Sequence, residues 1–156
     1  MQSLKIERGT QYFIKMNNED FVTYEQSLAL KKLGFRENCI FYYNNRNSMR
    51  AFCVEFSIQY SPNNIGGCLN RRKDTDDETC DAPTLEQAQK WLRGKGIDIT
   101  IYRSFSMKHS YHYELIKDMD YNNAKVQSCI PNRKYEEALS AGITECLKLL
   151  ENGSKQ

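Results

Sequence analysis

Six cysteines, two histidines and one run of alternating acids are the residues of this chain best suited to bond-making or metal chemistry. Cys39, Cys53, Cys68, Cys80, Cys129 and Cys146 contain no C-x-x-C pair and no clustered Cys/His spacing of the kind that holds a structural zinc ion. Cys39 and Cys53 are spaced to face each other across a hairpin, and Cys68 and Cys80 bracket a long polar segment that an oxidising compartment could close. In a cytosolic setting all six are expected as thiols. His109 and His112 fall in and just after a turn, within SFSMKHSYHYE, and read as surface side chains. A catalytic pair would need an orienting third group and an oxyanion donor, which the sequence does not supply.

The segment RRKDTDDETCD sets Asp74, Asp76 and Glu78 at alternate positions, as at the start of a calcium loop. Thr79 stands where the sharp turn needs glycine, and Leu85 where the bidentate glutamate belongs. Beside Arg71, Arg72 and Lys73 these acids read as a solvated charge run, so neither a metal nor any other cofactor is expected. Phosphate-loop, dinucleotide, H-E-x-x-H and G-x-S-x-G signatures are absent, which points away from an enzyme.

Aromatic side chains carry the remaining chemistry. Alternation sets Phe41 and Tyr43 on the strand face opposite Ile40 and Tyr42, with Arg46 and Arg50 nearby and Tyr102 beside Arg103 in a second hairpin. If helices cover one sheet face, these six residues are the candidate ligand-binding set. Aromatic faces with arginines can stack a nucleobase, each worth about 1–3 kcal/mol, or serve as a protein or dimer surface. A net charge of +2 is too small to favour nucleic acid by itself.

The elements that must position these residues follow from local signals. Thr23 followed by Gln26, and Thr84 followed by Gln87, are two capping boxes 61 positions apart. The first opens a helix over 23–34, ended by Gly34; the second, sharpened by Pro83, opens one ending near Gly94 and Gly96. Each precedes an apolar β-rich pair: CIFYY with MRAFCVEFSI, turning at Asn44–Asn47, and IDITIYRSF with YHYELIKDM. The first pairing would put Phe52, Val54 and Phe56 on the side of Ile40 and Tyr42. A third helix from about 132–134 sets Tyr135, Ala138, Leu139, Gly142, Ile143, Cys146, Leu149 and Leu150 on one stripe. Gly142 on that stripe implies a close approach to the sheet.

The expected fold is therefore α+β in αββαββα order, with a four-stranded, mainly antiparallel sheet and helices on one face. At 156 residues one domain is expected. QYFIKM is a possible edge strand, residues 58–83 a long charged loop, 120–132 an unassigned connection and 152–156 a frayed tail. No segment has the roughly 18 consecutive apolar residues of a membrane span, and the N-terminus lacks a secretory apolar run, so a soluble, cytoplasmic protein is expected.

The segments FVTYEQSLALKKLGF, CIFYY, APTLEQAQKWLR and YEEALSAGITECLKLL resemble a family of small, uncharacterised proteins encoded by phages and prophages of gut Bacteroidetes bacteria. The resemblance covers most of residues 21–150. It rests on the tyrosine-led first helix, the Pro83-Thr84-Leu85 start before Trp91 and Leu92, and the Tyr135–Ala138 start. The charged segment from Cys68 to Cys80 departs from the shorter connection expected there. The resemblance implies a mobile-element setting and supplies no catalytic residues. The leading expectation is a non-enzymatic accessory protein that binds a host or phage protein, with a nucleotide or nucleic-acid binder second and a hydrolase using His109, His112 and an acid third.

Overall fold

A computed structural model describes residues 17–45, 48–51, 77–104, 110–117, 125–127 and 131–153. In chain order, a 3-10 turn (Asn18–Asp20) leads into α1 (Tyr24–Lys32), β1 (Phe41–Asn45), β2 (Ser48–Ala51) and β3 (Cys80–Ala82). Then come α2 (Leu85–Arg93), β4 (Ile97–Ser104), β5 (Ser110–Lys117), β6 (Lys125–Gln127) and α3 (Tyr135–Gly153).

Both capping boxes form. The Thr23 hydroxyl accepts from the Gln26 amide at 3.3 Å while Gln26 Oε1 accepts from the Thr23 amide at 2.8 Å. Thr84 and Gln87 repeat the exchange at 3.1 and 3.0 Å. The end of α1 is closed by Gly34 at φ +92°, which lets the Phe35 amide reach back to the Leu30 carbonyl at 2.9 Å. A residue with a Cβ is strained in that left-handed conformation.

The two boxes differ in what else they hold. Gln26 is 4% exposed, and its amide nitrogen also donates to the Ser140 carbonyl (2.7 Å), the Ser140 hydroxyl (3.1 Å) and the Thr144 hydroxyl (2.8 Å), which ties α1 to α3. Gln87 donates only to the Asn38 carbonyl, at an exposed site. Gln26→Ala is therefore expected to destabilise the fold by about 2 kcal/mol and Gln87→Ala by about 1 kcal/mol. Urea unfolding of the two variants checks this, and equal losses would contradict the α1–α3 tie.

Among the described residues the strands lie in two three-stranded antiparallel sheets, ordered β2-β1-β3 and β4-β5-β6, in place of the single four-stranded sheet expected from two hairpins. Both edges of β1 are taken by β2 and β3, and both edges of β5 by β4 and β6, so neither central strand has an edge left for the other hairpin. The third strand of each sheet is three residues long, too short for an alternating pattern to register. β3 occupies the end of the segment expected as a charged loop, where Asp81 is fully buried, and β6 lies in the unassigned connection. The first hairpin turns one residue later than expected, through a register shift between Tyr43 and Asn45.

One apolar cluster joins the elements. Ile97 and Ile99 of β4 and Leu115 of β5 meet Leu85, Ala88 and Leu92 of α2, Leu139, Ile143, Cys146 and Leu147 of α3, and Val22, Leu30, Phe35 and Cys39 around α1. α2 and α3 pack on the second sheet, α1 packs on β3, and α3 touches both other helices. On α3 the buried stripe includes Leu147, while Tyr135 and Leu149, placed on it from spacing, are 43% and 36% exposed. The helix also runs on through Asn152 and Gly153, two residues into the expected tail. QYFIKM, Phe52, Cys53, Val54, Phe56, Cys68, the run Arg71 to Asp76, His109 and Cys129 lie outside the described residues.

Candidate functional site

The six candidate residues do not converge. Phe41 and Tyr43 belong to the first sheet, on a side that the approach to α1 covers. Phe41 packs edge-on against Phe21, with centroids 5.1 Å apart, and Tyr43 against Tyr24 at 5.6 Å. The Tyr43 hydroxyl donates to the Val22 carbonyl at 2.8 Å. Both rings thus hold the chain leading into α1. Arg46 lies outside the described residues, as does the side chain of Arg50, whose backbone pairs with Tyr42 in β2.

Burial sets the protonation of this region. It pushes the Tyr43 phenol up to about 12, with the Cys80 thiol and Glu25 adding to the shift. It pushes the Cys80 thiol up to about 12 against the opposing pull of the Lys31 ammonium, and the Cys146 thiol up to about 12 with help from Glu145. Cys39, Cys80 and Cys146 are buried thiols, and the raised values of Cys80 and Cys146 make those two poor nucleophiles. Folding favours the protonated state of Tyr43, Cys80 and Cys146. Their stabilisation is therefore fully present below the ordinary values of 9.0 for a thiol and 10.0 for a phenol, and is lost as pH rises toward 12. Urea unfolding at successive pH values is expected to show stability falling above pH 9.0. A flat profile into the alkaline range would contradict the burial.

The second sheet brings together what the first does not. In the β4–β5 ladder Tyr102 pairs with His112, Arg103 with Tyr111 and Ser104 with Ser110. Because strand side chains alternate, Ile97, Ile99 and Ile101 face the helices together with Arg103, while Tyr102 faces the other way. On that outer side the Tyr102 ring stacks on the His112 ring, with centroids 5.5 Å apart and planes 18° apart, and Tyr102 remains 39% exposed. His112, expected at the surface, is 6% exposed. It is the third residue of β5, under the cross-strand ring, and its Nε2 lies 3.0 Å from the Ser110 hydroxyl, itself 7% exposed. That separation suits a nucleophile and its base, and both groups are buried.

On the helix-facing side, beyond the apolar core, the Arg103 guanidinium lies 5.9 Å from the centre of the Tyr111 ring. Tyr111 meets Tyr135 edge-on at 6.3 Å. The backbones of Tyr111 and Asn132 exchange two hydrogen bonds, at 2.8 and 3.0 Å, and so fix the start of α3 against the sheet. Arg103, Tyr111 and Tyr135 therefore gather on the helix-facing side of one end of the β4–β5 hairpin, with Tyr102 on the opposite side. Tyr102 and Arg103 stand out in sequence as a neighbouring pair, whereas Tyr111 and Tyr135 become part of the site only through the ladder register and the docking of α3.

Among the described residues no group of three or more His, Cys, Asp or Glu side chains is placed to hold a metal ion, and no helix is long and apolar enough to cross a membrane. Comparisons with protein-family models, curated proteins and solved structures found no match to this chain. The site is accordingly defined by its geometry: an aromatic surface with one arginine, mounted on a two-stranded ladder and pinned by the first turn of α3.

Proposed function

We propose that this chain is a non-enzymatic accessory protein of a phage or prophage, and that it binds a host or phage protein through the end of the β4–β5 hairpin. One observation carries the reading: Arg103 and Tyr135, the latter 43% exposed, are gathered around the Tyr111 ring at a single place on the helix-facing side of that end. Tyrosine and arginine dominate the energetic centres of protein interfaces, because they offer large rigid contact area with a polar tip. The enclosed Ser110–His112 pair supports binding over hydrolysis, and the buried thiols fit a reducing host cytosol.

The experiment is affinity capture from bacterial lysate with the wild-type chain and with Arg103→Ala/Tyr135→Ala, alongside solution mass. A protein retained by the wild type and lost by the variant supports the proposal. A monomer that retains nothing, or equal retention by both, argues against it. A dimer that the variant abolishes would assign the same surface to self-association.

A second reading, a nucleotide or nucleic acid stacked on the opposite side of the hairpin end, is favoured by the exposed Tyr102 platform. A base on such a ring contributes about 1–3 kcal/mol. Saturable oligonucleotide binding lost in Tyr102→Ala would support it, and the absence of any thermal shift with oligonucleotides would remove it.

A further inference from the structure

A separate hollow of about 500 Å³ lies between the end of α2 and the segment after α1, lined by Glu37, Gln87, Lys90, Trp91, Gly94 and Lys95. Its size is within the range of small-ligand sites. Trp91, the one tryptophan of the chain, forms its aromatic wall. The indole is held from behind by the fully buried Phe35 ring, edge-on at 5.8 Å, and the Lys95 ammonium stands over it, 5.0 Å from the ring centre. The wall is stiff. Gln87 is committed on both sides, accepting from the Thr84 amide and donating to the Asn38 carbonyl at 3.0 Å. Gly94 brings no side chain into the space.

The cations are the unusual feature. Arg93, on the same turn, is paired with Asp98 at 2.8 Å, whereas among the described residues neither Lys90 nor Lys95 has a carboxylate partner. A helix C-terminus favours positive charge whatever its use, which accounts for the sign of these residues. It does not account for two unpaired ammonium groups sharing one hollow with an indole. The Glu37 carboxylate on the same wall adds an acceptor for hydroxyl or amine donors.

We propose that this hollow binds a nucleoside phosphate, with the base on Trp91, the phosphate on Lys90 and Lys95, and a sugar hydroxyl or ring amine on Glu37. A flat aromatic ring, an anion and a hydrogen-bond donor are the three features the lining asks for, and this ligand class carries all three. Cation–π attraction between Lys95 and the indole holds the lysine near the ring in the absence of ligand.

Because Trp91 is the sole tryptophan, its emission reports on this hollow directly. Titration with AMP and ATP, corrected for absorbance, is expected to give saturable quenching at submillimolar concentration. Adenosine alone and pyrophosphate alone are expected to bind about tenfold more weakly or worse, since each satisfies only half of the lining. Lys90→Ala/Lys95→Ala is expected to weaken AMP and ATP binding about tenfold, increasingly at low salt, with an unchanged melting temperature. Calorimetry with the same ligands provides a readout independent of emission. No saturable binding by either method at millimolar nucleotide, or an affinity untouched by the double substitution, would overturn the proposal.

Discussion

Phe35→Ala is expected to remove about 4 kcal/mol of folding stability, a large loss for one side chain. Phe35 has no exposed surface, follows the left-handed Gly34 that ends α1, and lies in the cluster shared by all three helices and the second sheet. Its ring is also the support for Trp91. Truncation would leave a cavity at a point fixed by the Phe35 amide's bond to Leu30, so the chain cannot collapse inward to fill it. Urea unfolding followed at Trp91 gives two readouts, a lower midpoint and red-shifted native emission. A loss below about 1 kcal/mol would show that Phe35 is not a keystone of the cluster.

Gly142→Val is expected to cost about 3 kcal/mol, despite valine's better intrinsic fit to a helix. A Cβ at this position would come within 2.9 Å of Ile99 Cγ2 and 3.3 Å of Tyr113 Cβ, so α3 would have to lift from the β4–β5 ladder. Tyr113 offers its Cβ and Cγ, close to the backbone and unable to swing aside. Gly142→Ala should lose less, because helix propensity returns up to about 1 kcal/mol. Thermal unfolding of the two variants separates the two contributions. A stabilised Gly142→Val would mean that α3 does not approach the sheet as closely as described.

The features that can be read from the chain are those whose cause is local. Thr23 with Gln26 and Thr84 with Gln87 are three-residue hydrogen-bonded exchanges, and Gly34 answers a local backbone demand. Gly142 is legible because a glycine inside a helix costs stability, and on an apolar stripe the compensation is a neighbour that needs the space. Where the cause is distant, the residues give no sign of it. Nothing near Cys80 or Lys125 marks a three-residue strand, because such a strand exists only by pairing with β1 or β5. For the same reason two hairpins suggest one sheet, since alternation identifies faces and is silent about which edges are taken. His112 reads as exposed beside a turn, and its burial depends on the register that sets Tyr102 against it.

The candidate site is half legible in the same sense. Tyr102 and Arg103 can be named from their types, but helical spacing alone puts Tyr135 in the core. It is instead the first residue of α3, where the helix clears the sheet end and meets Tyr111. Alternation gives Phe41 and Tyr43 an open face, which the Phe21 and Tyr24 rings occupy. In both cases the packing partner is distant in sequence, at a separation no periodic pattern spans.

The measurement that bears most directly on the proposed binding surface is the dissociation constant of the captured protein for Tyr135→Ala, Arg103→Ala and Leu149→Ala. Leu149, 36% exposed on the same helix, is an apolar control away from the hairpin end. Loss of affinity by about tenfold or more in the first two, with Leu149→Ala unchanged, is the predicted result. Unaltered affinity in Tyr135→Ala and Arg103→Ala, or a loss as large in Leu149→Ala, would contradict it.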